Sequence, residues 1–185
     1  EKGLNLDELR QGVKKAQDQI IGALQSEGAT AGADAAALIE NRIVSKGERN
    51  DGQKFSPYST KEVPAFLYFG RSRNGAGEAA VKKAAKEKRG VSYSDFRRLN
   101  GLNTNVKNFQ FTGEMWQGFG VRSVKVLGQG IVEIEIGGKN ARSNLLLKAH
   151  SEREGSELTQ PSQSEVDLVS KGISERIKVI INRNI

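Results

Sequence analysis

The chain has 185 residues, 36% apolar and 28% charged, enough to bury one core and too apolar for a disordered chain. Without a cysteine it can build neither a disulfide nor a thiolate metal site, and no apolar run approaches the ~20 residues of a membrane span. Between Arg71 and Arg98 nine basic residues stand against three acidic ones, which leaves +6 of the +7 net charge there, so an anionic partner is sought first in that stretch.

The N-terminus is polar and lacks the apolar centre of a signal peptide. It begins at Glu1, so a short upstream piece is expected. Leu6, Leu9, Val13, Ala16, Ile20 and Leu24 recur at three- and four-residue steps and predict a helix over 4–26, with Asn5 as its N-cap and Gly28 as its end. A second helix is expected over 31–46, with Ala35, Leu38, Ile39, Arg42 and Ile43 on one face and Gly47 as a left-handed C-cap. The two are expected to pack antiparallel about "SEGATAG". Residues 41–59, "NRIVSKGERNDGQKFSPYS", then hold a helix stop and two turns without any catalytic side chain. "FLYFG" (66–70) reads as a short strand or a hydrophobic plug. "GAGEAAVKKAAKEKRG" (75–90) is helical by propensity, but Val81 and alanines are its only apolar face, as in a helix that is exposed or awaits a partner. A short helix capped by Ser92 or Ser94 follows over 91–101.

"VKNFQF" (106–111) alternates like a strand, and Thr112 starts a helical turn over 112–119. "VRSVKVL" (121–127) and "IVEIEI" (131–136) flank "GQG" and predict a hairpin, with Val132, Ile134 and Ile136 on its covered face. Residues 137–155 leave the strand into a helix that stops at Gly155, and the last helix, 161–182, opens with a Ser162/Glu165 capping box and carries a Val166, Val169, Ile173, Ile177, Ile180 stripe. The expected architecture is α+β: two N-terminal helices, a small antiparallel sheet over 106–136 and two C-terminal helices on one of its faces.

Catalytic chemistry finds little to stand on. His150 is the sole histidine and lacks a second metal ligand or a nameable nucleophile, so it reads as a surface or partly packed residue. Glu133 and Glu135 read as a solvated strand face or as an acidic edge that meets a basic neighbour. "GRSRNGAG" (70–77) matches neither glycine-rich phosphate motif and reads as a flexible loop. The basic set is Arg71, Arg73, Lys82, Lys83, Lys86, Lys88, Arg89, Arg97 and Arg98, interleaved only by Tyr93 and Phe96. It fits a solvated helix or salt-sensitive backbone contact with DNA better than base stacking. Met115, Trp116 and Phe119 read as core or subunit-contact residues, with Trp116 the interface candidate.

The order of these signals resembles the phage tail-completion or virion-morphogenesis proteins, a family at the neck between head and tail. The matching positions are Arg42, Gly47, Asp51, Gly52, Pro57, Tyr58, Ser59, Thr112, Gly113 and Met115. The resemblance spans about 35–185 and departs over 60–105, a longer and more basic stretch that reads as an arm inserted into one domain, 1–185. It implies a non-enzymatic virion subunit without cofactor or membrane, assembled in the host cytoplasm. Its partners would be copies of itself in a six-fold or twelve-fold ring, neighbouring portal, head-completion or tail proteins, and DNA through non-specific contact. The alternative is a nucleic-acid-binding accessory protein that uses 71–98.

Overall fold

A computed structural model describes residues 6–127 and 131–184. The Asn5 cap, the "GQG" loop and the side chain of Ile180 lie outside the described residues.

The N-terminal region is one continuous helix, α1 (Leu6–Asn41), rather than the two expected. It runs into a π-helical turn, Arg42–Lys46, and stops at Gly47, which takes φ 65° and donates its N–H to the carbonyls of Arg42 and Ile43. Gly28 and Gly32 do not break α1 because they serve a close approach. A Cβ at Gly28 would lie 2.7 Å from Val132 Cγ1 and 2.8 Å from Val124 Cγ1. One at Gly32 would lie 2.7 Å from both Ile134 Cγ2 and Val121 Cγ2. Each glycine costs the helix about 1 kcal/mol relative to alanine, and here that cost lets a sheet lie directly on the helix.

That sheet is the expected hairpin, β3 (Phe119–Val126) antiparallel to β4 (Val132–Gly138), with Val124 opposite Ile134 and Val121 opposite Ile136. Its apolar face covers α1, and Glu133 and Glu135 stand on the other face. Helix α4 (Glu114–Gln117) precedes it and drops Met115 and Trp116 into the main core with Ile39, Ile43, Phe55, Phe119, Leu147 and Leu158. Helix α5 (Ala141–Glu154) is capped by Asn140, whose Oδ1 accepts from the N–H of Ser143 at 2.8 Å, and ends at Gly155. Helix α6 (Gln163–Asn184) opens with the expected capping box: Glu165 Oε2 accepts from the N–H of Ser162 at 2.7 Å, and Ser162 Oγ from the N–H of Glu165 at 3.3 Å. It packs along α1, where Arg176 reaches Glu27 at 2.6 Å and Asp34 at 3.3 Å.

The 60–105 stretch folds on itself. Strand β1 (Glu62–Pro64) pairs antiparallel with β2 (Gly90–Ser92), and a 3₁₀ turn (Ala65–Tyr68), α2 (Gly75–Lys86) and α3 (Tyr93–Leu99) pack around them. Ala65, Val81, Ala84, Val91 and Phe96 form a second core, so the alanine-rich face of α2 is already covered. Ser92, not Ser94, caps α3, its side chain accepting from the N–H of Asp95.

The strand expected over 106–111 does not form. The backbone there bonds to a side chain instead: the N–H groups of Asn108 and Phe109 both donate to the Tyr58 hydroxyl at 3.2 Å. Phe109 is held at φ 54°, outside the strand region. The fold remains α+β, with two two-stranded antiparallel sheets among the described residues.

Candidate interaction sites

An arginine on the apolar face of a helix needs an anion, and Arg42 has one. Its Nε lies 2.9 Å from Glu165 Oε1, and both side chains are less than a tenth exposed. The same guanidinium donates from Nη1 to the Glu48 carbonyl at 2.9 Å and from Nη2 to the Gln160 carbonyl at 3.0 Å. One side chain therefore ties the end of α1, the loop after it and the start of α6. The sequence signal for this pair was available in two halves, an arginine in the Ile39/Ile43 stripe and a glutamate in a capping box, 123 positions apart.

Beyond Gly47 the chain forms a tight loop. Glu48 bridges Lys54, the Arg49 N–H donates to the Gln53 carbonyl at 2.7 Å, and Asp51 Oδ1 accepts from the N–H of Gln53 at 3.0 Å. Asp51 and Gly52 are exposed at its tip, as are Pro57 and Ser59 further on. Tyr58 is buried within its own subunit. Its hydroxyl donates to Asn108 Oδ1 at 3.2 Å, and its ring lies under the Arg97 guanidinium, 4.1 Å from centroid to Cζ. Asn108 is a hub that no motif marks: its carbonyl also accepts from Trp116 Nε1 at 3.1 Å, and its Oδ1 from Arg97 Nη2 at 3.1 Å. Thr112 Oγ1 accepts from the Glu114 N–H at 3.4 Å, and Gly113 at φ 86° leads into α4.

The nine basic candidates do not form one patch. Arg97 is 1% exposed and belongs to the interior, which separates it from the other eight. Lys82 pairs with Glu78 at 3.4 Å, Arg89 with Glu87 at 2.6 Å, and Arg98 with Asp95. Arg71, Arg73, Lys83, Lys86 and Lys88 are exposed and outside every ion pair found among the described residues. Lys83, Lys88, Arg89 and Arg98 line a common cleft of about 640 Å³, together with Glu62 and Asp95.

The interface candidates also divide. Trp116 is buried and sits edge-on to Phe119 at 5.4 Å, so it is a core residue and offers no subunit contact. Glu133 and Glu135 are exposed but neutralised within their own sheet, by Lys125 at 3.4 Å and Arg122 at 2.7 Å. The expected acidic edge is thus balanced across the strands. His150 is partly buried; burial first, then Arg153 and Lys107, hold its pKa below the ordinary histidine value against the opposing pull of Glu154.

The most exposed apolar surface lies on the first half of α1. Leu6, Leu9, Val13 and Ile20 of α1 are each more than half exposed, because the sheet and α6 cover the helix only further along. Leu127 and Ile131, at the two ends of the hairpin loop, are exposed as well. Among the described residues there is no cluster of three or more histidines and carboxylates that could hold a metal ion, and no helix long and apolar enough to cross a membrane. Comparison with protein-family models, curated proteins and solved structures finds no match for this chain.

Proposed function

We propose that this chain is a structural subunit of a tailed-phage virion, forming a ring in the neck that joins the portal side to the tail, and that it works by contacts rather than catalysis. The observation that carries the proposal is the bare half of α1. Leu6, Leu9, Val13 and Ile20 follow steps of three, four and seven, a heptad seam with Ala16 filling its remaining position. Helices in proteins draw most of their stability from packing an apolar face, and burying each large side chain contributes about 1.5–3 kcal/mol. A second copy supplies such cover. The resemblance adds support: Arg42, Gly47, Tyr58 and Met115 all hold the base from which α1 projects. A closed ring needs two different faces on each subunit, and the α1 seam is one of them.

The test is assembled mass by native mass spectrometry for the wild type and for Val13→Asp/Ile20→Asp. The wild type forms rings, alone or on purified neck partners, and the variant stays monomeric with unchanged circular dichroism. A wild type that stays monomeric in both settings refutes the ring.

A second reading is favoured by the basic cleft beside Lys83, Lys88, Arg89 and Arg98. Contact there with DNA backbone would weaken steeply with salt, and Lys83→Glu/Lys88→Glu would reduce the slope by about two, one for each phosphate that is no longer neutralised. Affinity for duplex DNA that does not change between low and high salt removes this reading.

A further inference from the structure

Between the two cores lies a cleft of about 240 Å³ that neither reading uses. Its walls are aromatic: Tyr58 and Tyr93, edge to face at 5.6 Å, with Phe109 and Phe111. Phe109 stands there in a left-handed conformation that a bulky residue rarely adopts, braced by Phe55 at 4.9 Å and His150 at 4.9 Å. The charges that line the cleft are mostly positive. Lys107 and Glu154 satisfy each other at 2.5 Å, which leaves Arg153 and Arg97 in excess.

Arg97 is the decisive group. It is 1% exposed, yet among the described residues no carboxylate pairs with it. Its partners are the Asn103 carbonyl at 3.2 Å, Asn108 Oδ1 at 3.1 Å and the Tyr58 ring, all uncharged. Buried cations are ordinarily matched by an anion, since an unmatched one carries its full desolvation cost. Here the unmatched cation lines an aromatic cleft that Arg153, exposed at its edge, makes more positive.

We propose that this cleft receives an acidic segment of a partner protein, a carboxylate entering toward Arg97 and Arg153 while an adjacent aromatic or aliphatic side chain lies between the tyrosine and phenylalanine walls. The volume equals about eight water molecules at ~30 Å³ each, room for one large side chain and a neighbouring carboxylate. A nucleic-acid strand instead tracks a groove several nucleotides long, with bases stacked in succession. The site needs only one chain, so it stands whether or not the protein forms a ring.

His150 provides the probe, because it is the only histidine and borders the cleft. Its imidazole signals are followed by NMR while the whole chain is titrated with acetyl-Asp-Phe-Asp-amide, acetyl-Lys-Phe-Lys-amide, inorganic phosphate or oligothymidylate. The acidic peptide is expected to shift His150 saturably and raise its pKa, since the groups now facing it (Arg153 and Lys107 against Glu154) leave it in a positive field. Arg153→Glu, an exposed position, is expected to weaken that response at least tenfold with the rest of the spectrum unchanged. No response at millimolar acidic peptide overturns the proposal. So does an equal response to the lysine peptide, or a response to phosphate or oligothymidylate at lower concentration than to the acidic peptide.

Discussion

Glu165→Ala removes one half of the pair that fastens α6 to the end of α1. Both side chains are nearly inaccessible, at 9% and 7%, so the arginine left behind cannot turn to water. Removing one partner of such a pair costs about 3–5 kcal/mol, because the remaining charge stays buried without its counterion. The same substitution deletes the capping-box carboxylate that accepts from the Ser162 N–H. For a chain of this size 1 kcal/mol corresponds to about 2–4 °C, so the melting temperature is expected to fall by about 6–20 °C. The partner control is Arg42→Met/Glu165→Ala, which removes both charges. It leaves the Glu48 and Gln160 carbonyls without their donor, and a loss of about 1–3 kcal/mol is expected. Thermal and urea unfolding by circular dichroism measure these variants and Arg42→Met alone. A loss under about 1 kcal/mol for Glu165→Ala, or a double variant as unstable as the two singles added together, refutes the account of the pair.

Gly32→Ala gains about 1 kcal/mol of helix propensity and meets Val121 and Ile134, an overpacking worth about 1–3 kcal/mol. A net loss is expected on urea unfolding, whereas Gly12→Ala, with nothing within 4 Å, only raises the helical signal; a stabilised Gly32→Ala would mean that the sheet does not need the glycine. Tyr58→Phe strips the acceptor from two buried N–H groups and is expected to cost about 1–3 kcal/mol; unchanged stability shows those groups to be satisfied otherwise. His150 has a folded pKa below that of the unfolded chain, so the unfolded state binds more protons in acid. Its contribution is full above about pH 6.5 and is lost as pH falls through the folded pKa. His150→Gln is expected to flatten that part of the stability profile, and an unaltered acid limb counts against the reading.

Local signals were the legible ones. The alternation of "IVEIEI", the Ser162/Glu165 box and the stops at Gly47 and Gly155 each depend on neighbours a few residues away, and each forms as expected. What stayed hidden depended on distant partners. Gly28 reads as a break until the sheet that lies against it is known. Arg97 and Arg98 are adjacent in sequence, yet successive helical residues point about 100° apart, so one is interior and the other exposed, which a charge count does not register. "VKNFQF" alternates as a strand would, but a tyrosine fifty residues away takes its backbone donors.

The length of α1 carries a mechanical consequence. From Leu6 to Gly28 the helix extends ~33 Å at 1.5 Å per residue, and the sheet grips it from Gly28 onward. It is a lever with its fulcrum at the two glycines. A tilt of ~10° at the fulcrum would carry Leu6 sideways by ~6 Å, about one helical pitch. Whatever holds the tip thereby sets the orientation of the whole globular body, and a methyl added at Gly28 would be read out far from where it was placed.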